Sequence, residues 1–209
     1  MKNYLNKYFS VGIIFLLFSC GGKPTETKLL LPVIGEKNVS ESGDTIYHTI
    51  NKFSFTNQFG EIISEKNIEN KIYVADFFFA TCQSICPIMS KRMCVVQEAF
   101  KNDADFLILS HTVNPMHDTV EVLSEYGKRF GAIKNKWHLL TGDKKNIYAL
   151  AKEDYLVNAL QDDGSAEGFL HSELFLLIDK KKRIRGMYDG TDSAQVNKLI
   201  LDITLLKTE

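Results

Sequence analysis

Tyr73-Val74-Ala75-Asp76-Phe77-Phe78-Phe79-Ala80-Thr81-Cys82-Gln83-Ser84-Ile85-Cys86-Pro87-Ile88-Met89 is the stretch that decides the fold. Its first half is an apolar, aromatic run that predicts a buried strand, and a short turn then leads into a helical pattern. Proline is favoured at the first helical position, so Pro87 predicts Cys86 at the helix cap. Unpaired amides and the positive end of the helix dipole favour a thiolate there over a thiol. The four-residue step from Cys82 to Cys86 across a helix start predicts both sulfurs on one side. Such a pair can share a soft ion, Cu(I) or Zn(II), or close into a disulfide after modest backbone adjustment. A purely structural disulfide would close a very short loop and constrain the unfolded chain little, which argues for chemistry at this pair.

Outward from this segment, apolar runs alternate with helical patterns. Strands are predicted at 72–79, 106–113, 137–140, 174–178 and 184–188, the last after the polar turn Asp179-Lys180-Lys181-Lys182. Helices are predicted at about 87–100, at 119–130 ended by Gly131, and at 144–152. A final helix opens at Thr191 or Asp192 and sets Val196, Leu199, Ile200, Ile203 and Leu206 on one stripe. This order implies an α/β sandwich, with one folded domain over residues 48–209 and no internal repeat. Residues 20–47, rich in Gly, Lys, Glu, Ser and Thr with Pro24 and Pro32, read as a tether or loosely packed arm.

The first 19 residues read as an address. Lys2 and Lys7 precede an apolar run from Tyr8 to Phe18 that is too short to span a bilayer and fits a signal-peptide core. Leu17-Phe18-Ser19-Cys20-Gly21-Gly22 follows and resembles the lipobox of bacterial lipoproteins, which makes Cys20 the expected acylation site and first mature residue. The protein is therefore expected at the extracytoplasmic face of a bacterial membrane, held by lipid. The 209 residues are 44% hydrophobic and 24% charged, which suits one ordinary domain plus an extension, and a net charge of −1 without a basic face argues against a nucleic-acid partner.

With Cys20 acylated, Cys82, Cys86 and Cys94 remain, and three cysteines cannot all pair. Cys94 lies eight positions beyond Cys86, roughly 12 Å along a continuous helix, too far to share an ion. Met89 and Met93 offer soft sulfur, yet with Val96 and Phe100 they form a helical stripe that reads as core. Asp76 sits in an apolar strand, where an acid needs a partner; it either tunes the cysteines or is satisfied by backbone donors. A third ligand has five candidates, His48, His111, His117, His138 and His171. His111 and His117 flank Asn114-Pro115 and read as hydrogen-bonding or surface residues, whereas His171 follows the polar loop 161–168 and precedes an apolar strand, a position from which a loop could bring in a ligand.

Three ordered blocks, FFFATCQSICPIMSKRM, HTVNPMHDTVEVLSEYGKRFGAIKNKWHLLTGD and FLHSELFLLIDKKKRIRGMYDGTD, resemble the SCO/SenC family of copper-binding, thioredoxin-fold proteins that help mature the copper A centre of cytochrome c oxidase. The resemblance spans the whole folded domain. It implies a thioredoxin-like fold, a central mixed sheet flanked by helices. It also implies one copper per chain, Cu(I) with Cu(II) as a second state, held by Cys82, Cys86 and His171, with the two cysteines as the redox pair. The implied partner is the copper A subunit of the oxidase, with other copper chaperones and thiol reductases as further candidates. Gln83 stands where many relatives carry proline, and Asn114 where many carry aspartate before Pro115.

The resemblance implies a metallochaperone rather than an enzyme. The main alternative is a membrane-anchored thiol–disulfide oxidoreductase that reduces the cysteines of the oxidase copper site, and a copper or redox sensor is a further one. Against a general thioredoxin-type reductase stand the three residues between the cysteines, where thioredoxins have two, and the lack of a proline before the 174–178 strand. A peroxidase is disfavoured because Thr81 is adjacent to Cys82 and the spacing typical of peroxiredoxins is missing.

Overall fold

Burial on both faces marks the centre of the molecule. In the computed structural model, which describes residues 30–157 and 172–209, β5 (Ile72–Phe78) and β6 (Phe106–Thr112) are buried at every position. Their near-continuous apolar sequences suit parallel strands covered on both sides. The chain runs β1 (Lys37–Val39), β2 (Thr45–Tyr47), β3 (Ser54–Asn57), β4 (Ile62–Ser64), β5, α1 (Ile85–Ala99), β6, α2 (Val120–Phe130), β7 (Trp137–Thr141), α3 (Lys144–Ala149), β8 (Leu174–Ile178), β9 (Ile184–Asp189) and α4 (Ser193–Leu206). A π-helical turn, Leu150–Asp154, directly continues α3.

Seven strands form one mixed sheet in the order β4-β3-β7-β6-β5-β8-β9. β5, β6 and β7 run parallel, while β3, β8 and β9 are antiparallel to their neighbours, which is the central mixed sheet that the family resemblance implies. The five expected strands and four expected helices are present with ends shifted by a few residues. The short hairpins β1–β2 and β3–β4 were not anticipated, because three- or four-residue strands carry too few apolar positions to show a period. Within β3 and β4 Phe55 and Ile63 are the only apolar residues that reach the core.

Helix ends follow the local chemistry. The Thr119 side chain accepts from the Val122 amide at the start of α2, and Gly131 closes that helix in the left-handed conformation at φ 67°. Asp192 caps α4 by accepting from the Ala194 amide at 2.7 Å. Val196, Leu199, Ile203 and Leu206 of α4 are buried, as the stripe predicts, and Ile200 is partly so.

The chain before β1 is bound to the far edge of the sheet. Ile34 bridges to Ile184 of β9, the Leu31 amide donates to Glu209 at 2.8 Å, and the Arg185 guanidinium donates to the carbonyls of Leu31 and Pro32 at 2.6 and 2.9 Å. Arg185 is 3% exposed and also meets Asp179 and Glu209, so a buried ionic cluster joins the arm, the β8–β9 turn and the C-terminal residues.

Candidate metal centre

The parallel strand β5 delivers the chain to the C-terminal end of the sheet, and the cysteines sit where it turns into α1. Cys82 follows a turn closed by its own amide donating to the Phe79 carbonyl at 3.2 Å. The helix begins at Ile85, with Ser84 as the cap, so Cys86 is the second helical residue rather than the cap residue that Pro87 predicts. The Ser84 hydroxyl makes no capping bond to the helix; it lies 3.5 Å from the Cys82 sulfur. Both cysteines are buried, free and not joined to each other.

The two thiols are driven in opposite directions. Burial pushes Cys82 up, but the Cys86 amide, the Ser84 hydroxyl and amide, and the Cys86 thiol outweigh it and hold Cys82 below the usual thiol range. Burial pushes the Cys86 thiol far above that range; its hydrogen bond to Cys82 and the charges of Cys82 and Asp76 add to the rise, and the Phe79 backbone counters part of it. The lowered thiol that the helix position predicts at Cys86 is therefore Cys82. The reason is direction: the first-turn amides point back out of the helix toward Cys82, whereas Cys86 lies in the dry side of the turn.

Asp76, 4% exposed, accepts from the Ser110 hydroxyl at 2.5 Å, and Trp137 Nε1 donates to that hydroxyl at 2.8 Å. Its partner is thus the Ser110 side chain rather than a backbone donor. Burial raises its carboxyl to about 7, opposed in part by the Ser110 bond. On the helical side, Ser90 and Tyr126 hydroxyls meet at 2.7 Å.

A residue not assigned a role from sequence holds the turn in place. Asp118 is fully buried, accepting from the Ala80 amide at 3.0 Å and the Thr112 hydroxyl at 2.5 Å, with His117 Nδ1 at 3.0 Å from its other oxygen. The carboxylate clasps the strand end that carries the cysteines to the 113–119 loop. The available signal was an acid inside the Asn114-Pro115-Met116-His117-Asp118-Thr119 turn, but its partner lies 38 positions away, beyond any sequence period.

The other candidates are placed elsewhere. His111 is fully buried, stacked on Phe77 at 5.3 Å and edged by Phe53 and Phe55, with neither ring nitrogen hydrogen-bonded; burial holds it down to about 3. Asn57 donates to His138 at 3.2 Å, and His48 Nε2 donates to the Asp154 carbonyl at 2.7 Å. Cys94 is half-buried, its thiol donating to the Ser90 and Phe130 carbonyls at 3.1 and 3.0 Å. Met89, Met93 and Val96 are core, as their stripe predicts. Among the described residues no group of three or more His, Cys, Asp and Glu is arranged to hold a metal ion. His171 and Cys20 lie outside the described residues. Two soft sulfurs, one already inclined to ionise, fit a soft ion that brings or finds one further ligand.

A thioredoxin-like sheet with a dithiol at the end of its central strand defines the class. The model of the SCO1/SenC family matches residues 42–204, and the chain belongs to that family. It is similar to the crystal structure of a SCO1/SenC family lipoprotein from Bacillus anthracis, with 30% identity over 77% of this chain and 95% of that one and a TM-score of 0.69. BsSco, described as a member of the Sco family of cytochrome c oxidase assembly proteins with a disulfide switch, shares the fold at 24% identity and TM-score 0.67, over 77% of this chain and 94% of its own. Arabidopsis thaliana ScoI, solved with copper bound, shares it at 23% identity and TM-score 0.61, over 76% of this chain and 98% of its own. Among the described residues no helix is long and apolar enough to cross a membrane.

Proposed function

We propose that this protein is an exported, lipid-anchored copper carrier for the copper A subunit of cytochrome c oxidase, with Cys82, Cys86 and His171 as ligands and Cys20 as the lipid site. The observation that carries the reading is the buried, unequal thiol pair at the end of β5 in a SCO1/SenC chain. Cys82 supplies the sulfur that its neighbours' amides and hydroxyl make easier to ionise. Cys86 holds a proton that must leave when the second sulfur is engaged, so loading releases protons and strengthens as pH rises. Reversal of that step, with protons returning to Cys86, gives a route to release. Ser84 and Asp118 act by position, one on the Cys82 sulfur and the other on the strand end before it.

The same inequality also suits disulfide exchange, with Cys82 as attacking sulfur and Cys86 as the resolving thiol, so thiol–disulfide chemistry toward the oxidase cysteines is the second reading. Titration of the reduced protein with Cu(I), with thiols counted before and after, is expected to give one copper per chain and none once Cys82 and Cys86 are oxidised to a disulfide. Undiminished uptake by the oxidised form would remove the thiols from the site. His171→Ala separates the two readings: it should weaken copper, change the spectrum of any Cu(II) form and fail to restore oxidase activity in cells lacking the wild type. Unchanged Cu(II) spectra with full rescue would favour the reductase.

A further inference from the structure

The end of the sheet opposite the cysteines combines a fixed chain exit with a cluster of cations. Leu30, 59% exposed, is the first described residue, and the residues after it are held in place by Arg185, Glu209 and Ile184. It lines a groove with Ile72, Lys180, Lys181, Arg183, Leu206 and Glu209. Ile72 opens β5, whereas Cys82 lies beyond the far end of that strand. Seven residues of β5 at about 3.3 Å each place roughly 23 Å of strand between the exit and the thiols.

The β8–β9 turn beside the exit reads Lys180-Lys181-Lys182-Arg183. Arg183 is bound to Asp179, and Lys180 has its nearest acid, Asp105, at 3.8 Å. Among the described residues neither Lys181 nor Lys182 has an ion pair. The turn therefore presents a local excess of positive charge that the net charge of −1 conceals.

Chain length then limits orientation. Ten positions separate Cys20 from Leu30, a reach of at most about 35 Å. The thiols lie at least roughly 23 Å from the exit in a domain about 40 Å across, so turning the cysteine end to the bilayer would draw this link nearly straight, whereas turning the exit to it leaves the link slack. We propose that the Lys180–Arg183 turn rests on the anionic phospholipid headgroups of the membrane that holds the lipid, and that the Cys82–Cys86 end is thereby held outward, where a partner can reach it. The inference rests on the lipid anchor at Cys20. Cationic side chains near an anionic leaflet are attracted within a Debye length, and the docked arm delivers this turn to that distance.

The test uses the full lipidated chain in vesicles of phosphatidylcholine with or without phosphatidylglycerol. Lysines are labelled with a water-soluble amine reagent and read by mass spectrometry of the peptides. Lys180 and Lys181 should label several-fold more slowly on the anionic vesicles, with protection lost at high salt, while exposed Lys145, at the start of α3 on the cysteine end, should be unaffected. Lys180→Glu/Lys181→Glu should leave vesicle attachment and thiol count unchanged but return Lys182, in the same turn, to its labelling rate on neutral vesicles. An attached, acylated chain whose turn labels equally on both vesicles, or whose Lys145 is protected instead, would overturn the docking alone. An unmodified Cys20 together with no attachment to neutral vesicles would overturn the anchor and the orientation with it.

Discussion

At one end of the central sheet, Cys82, Cys86 and Asp76 are buried with neutral donors and no cation among their described hydrogen-bond and charge partners. At the other end, Arg185 is as deeply buried but meets Asp179, Glu209 and two backbone carbonyls. The first arrangement leaves protons undecided: burial lifts Asp76 and Cys86, and amides pull Cys82 down. The second leaves nothing undecided, because charges compensate one another and tie three segments together. Groups that must exchange protons or ligands cannot also be locked by strong partners, so reactivity and attachment occupy opposite ends of the same strands.

Arg185→Ala tests the locked end and carries the largest expected effect. Removing one partner of a buried ionic cluster leaves Asp179 and Glu209 uncompensated, and a loss of roughly 3–5 kcal/mol is expected by denaturant unfolding. The order of alkylation, Cys82 before Cys86, should survive in the remaining folded protein. A change in that order would mean that the two ends are coupled.

Asp76→Asn tests the reactive end. The folded carboxyl titrates at about 7 against an ordinary 3.8, so the folded state keeps a proton that the unfolded chain releases. Its contribution to stability is complete below about 3.8 and is lost as pH rises through about 7. The asparagine variant lacks this loss, and its stability relative to wild type should grow across that window by up to about 4 kcal/mol. Losing the negative charge should also bring Cys86 down toward the usual thiol range. A stability difference that stays flat with pH would show that Asp76 is ionised in the fold.

Gly131→Ala is the smallest perturbation and returns to the locked end. Nothing lies within 4 Å of the added Cβ, so only the left-handed φ of 67° resists it. A loss of about 1 kcal/mol is expected in thermal unfolding, without change in copper stoichiometry.

How much of this was legible in the sequence depended on how local each feature is. The β5 strand, the turn and α1 announce themselves because period, proline and cysteine spacing act within a few residues. The β3–β4 hairpin did not, since Phe55 and Ile63 are its only buried apolar residues. Likewise, the 144–152 helix was read as uniform, while the structure changes to a π-helical turn at Leu150. There Asp154 accepts from the Asn51 amide at 2.8 Å and its carbonyl from His48, contacts more than a hundred positions away that no helical period contains.

The sequence by itself determined the α/β order, the adjacency of Cys82 and Cys86, and the exclusion of Cys94, since helix rise and side-chain spacing are intrinsic to the chain. Only the tertiary structure decided which cysteine ionises first, that Asp118 clasps the site and that Arg185 binds the arm. The physical reason is that desolvation and donor direction have no sequence period. A thiol's proton responds to the amides and dry surfaces gathered around it, and those come together only when β5, the 113–119 loop and the arm are folded onto the same sheet.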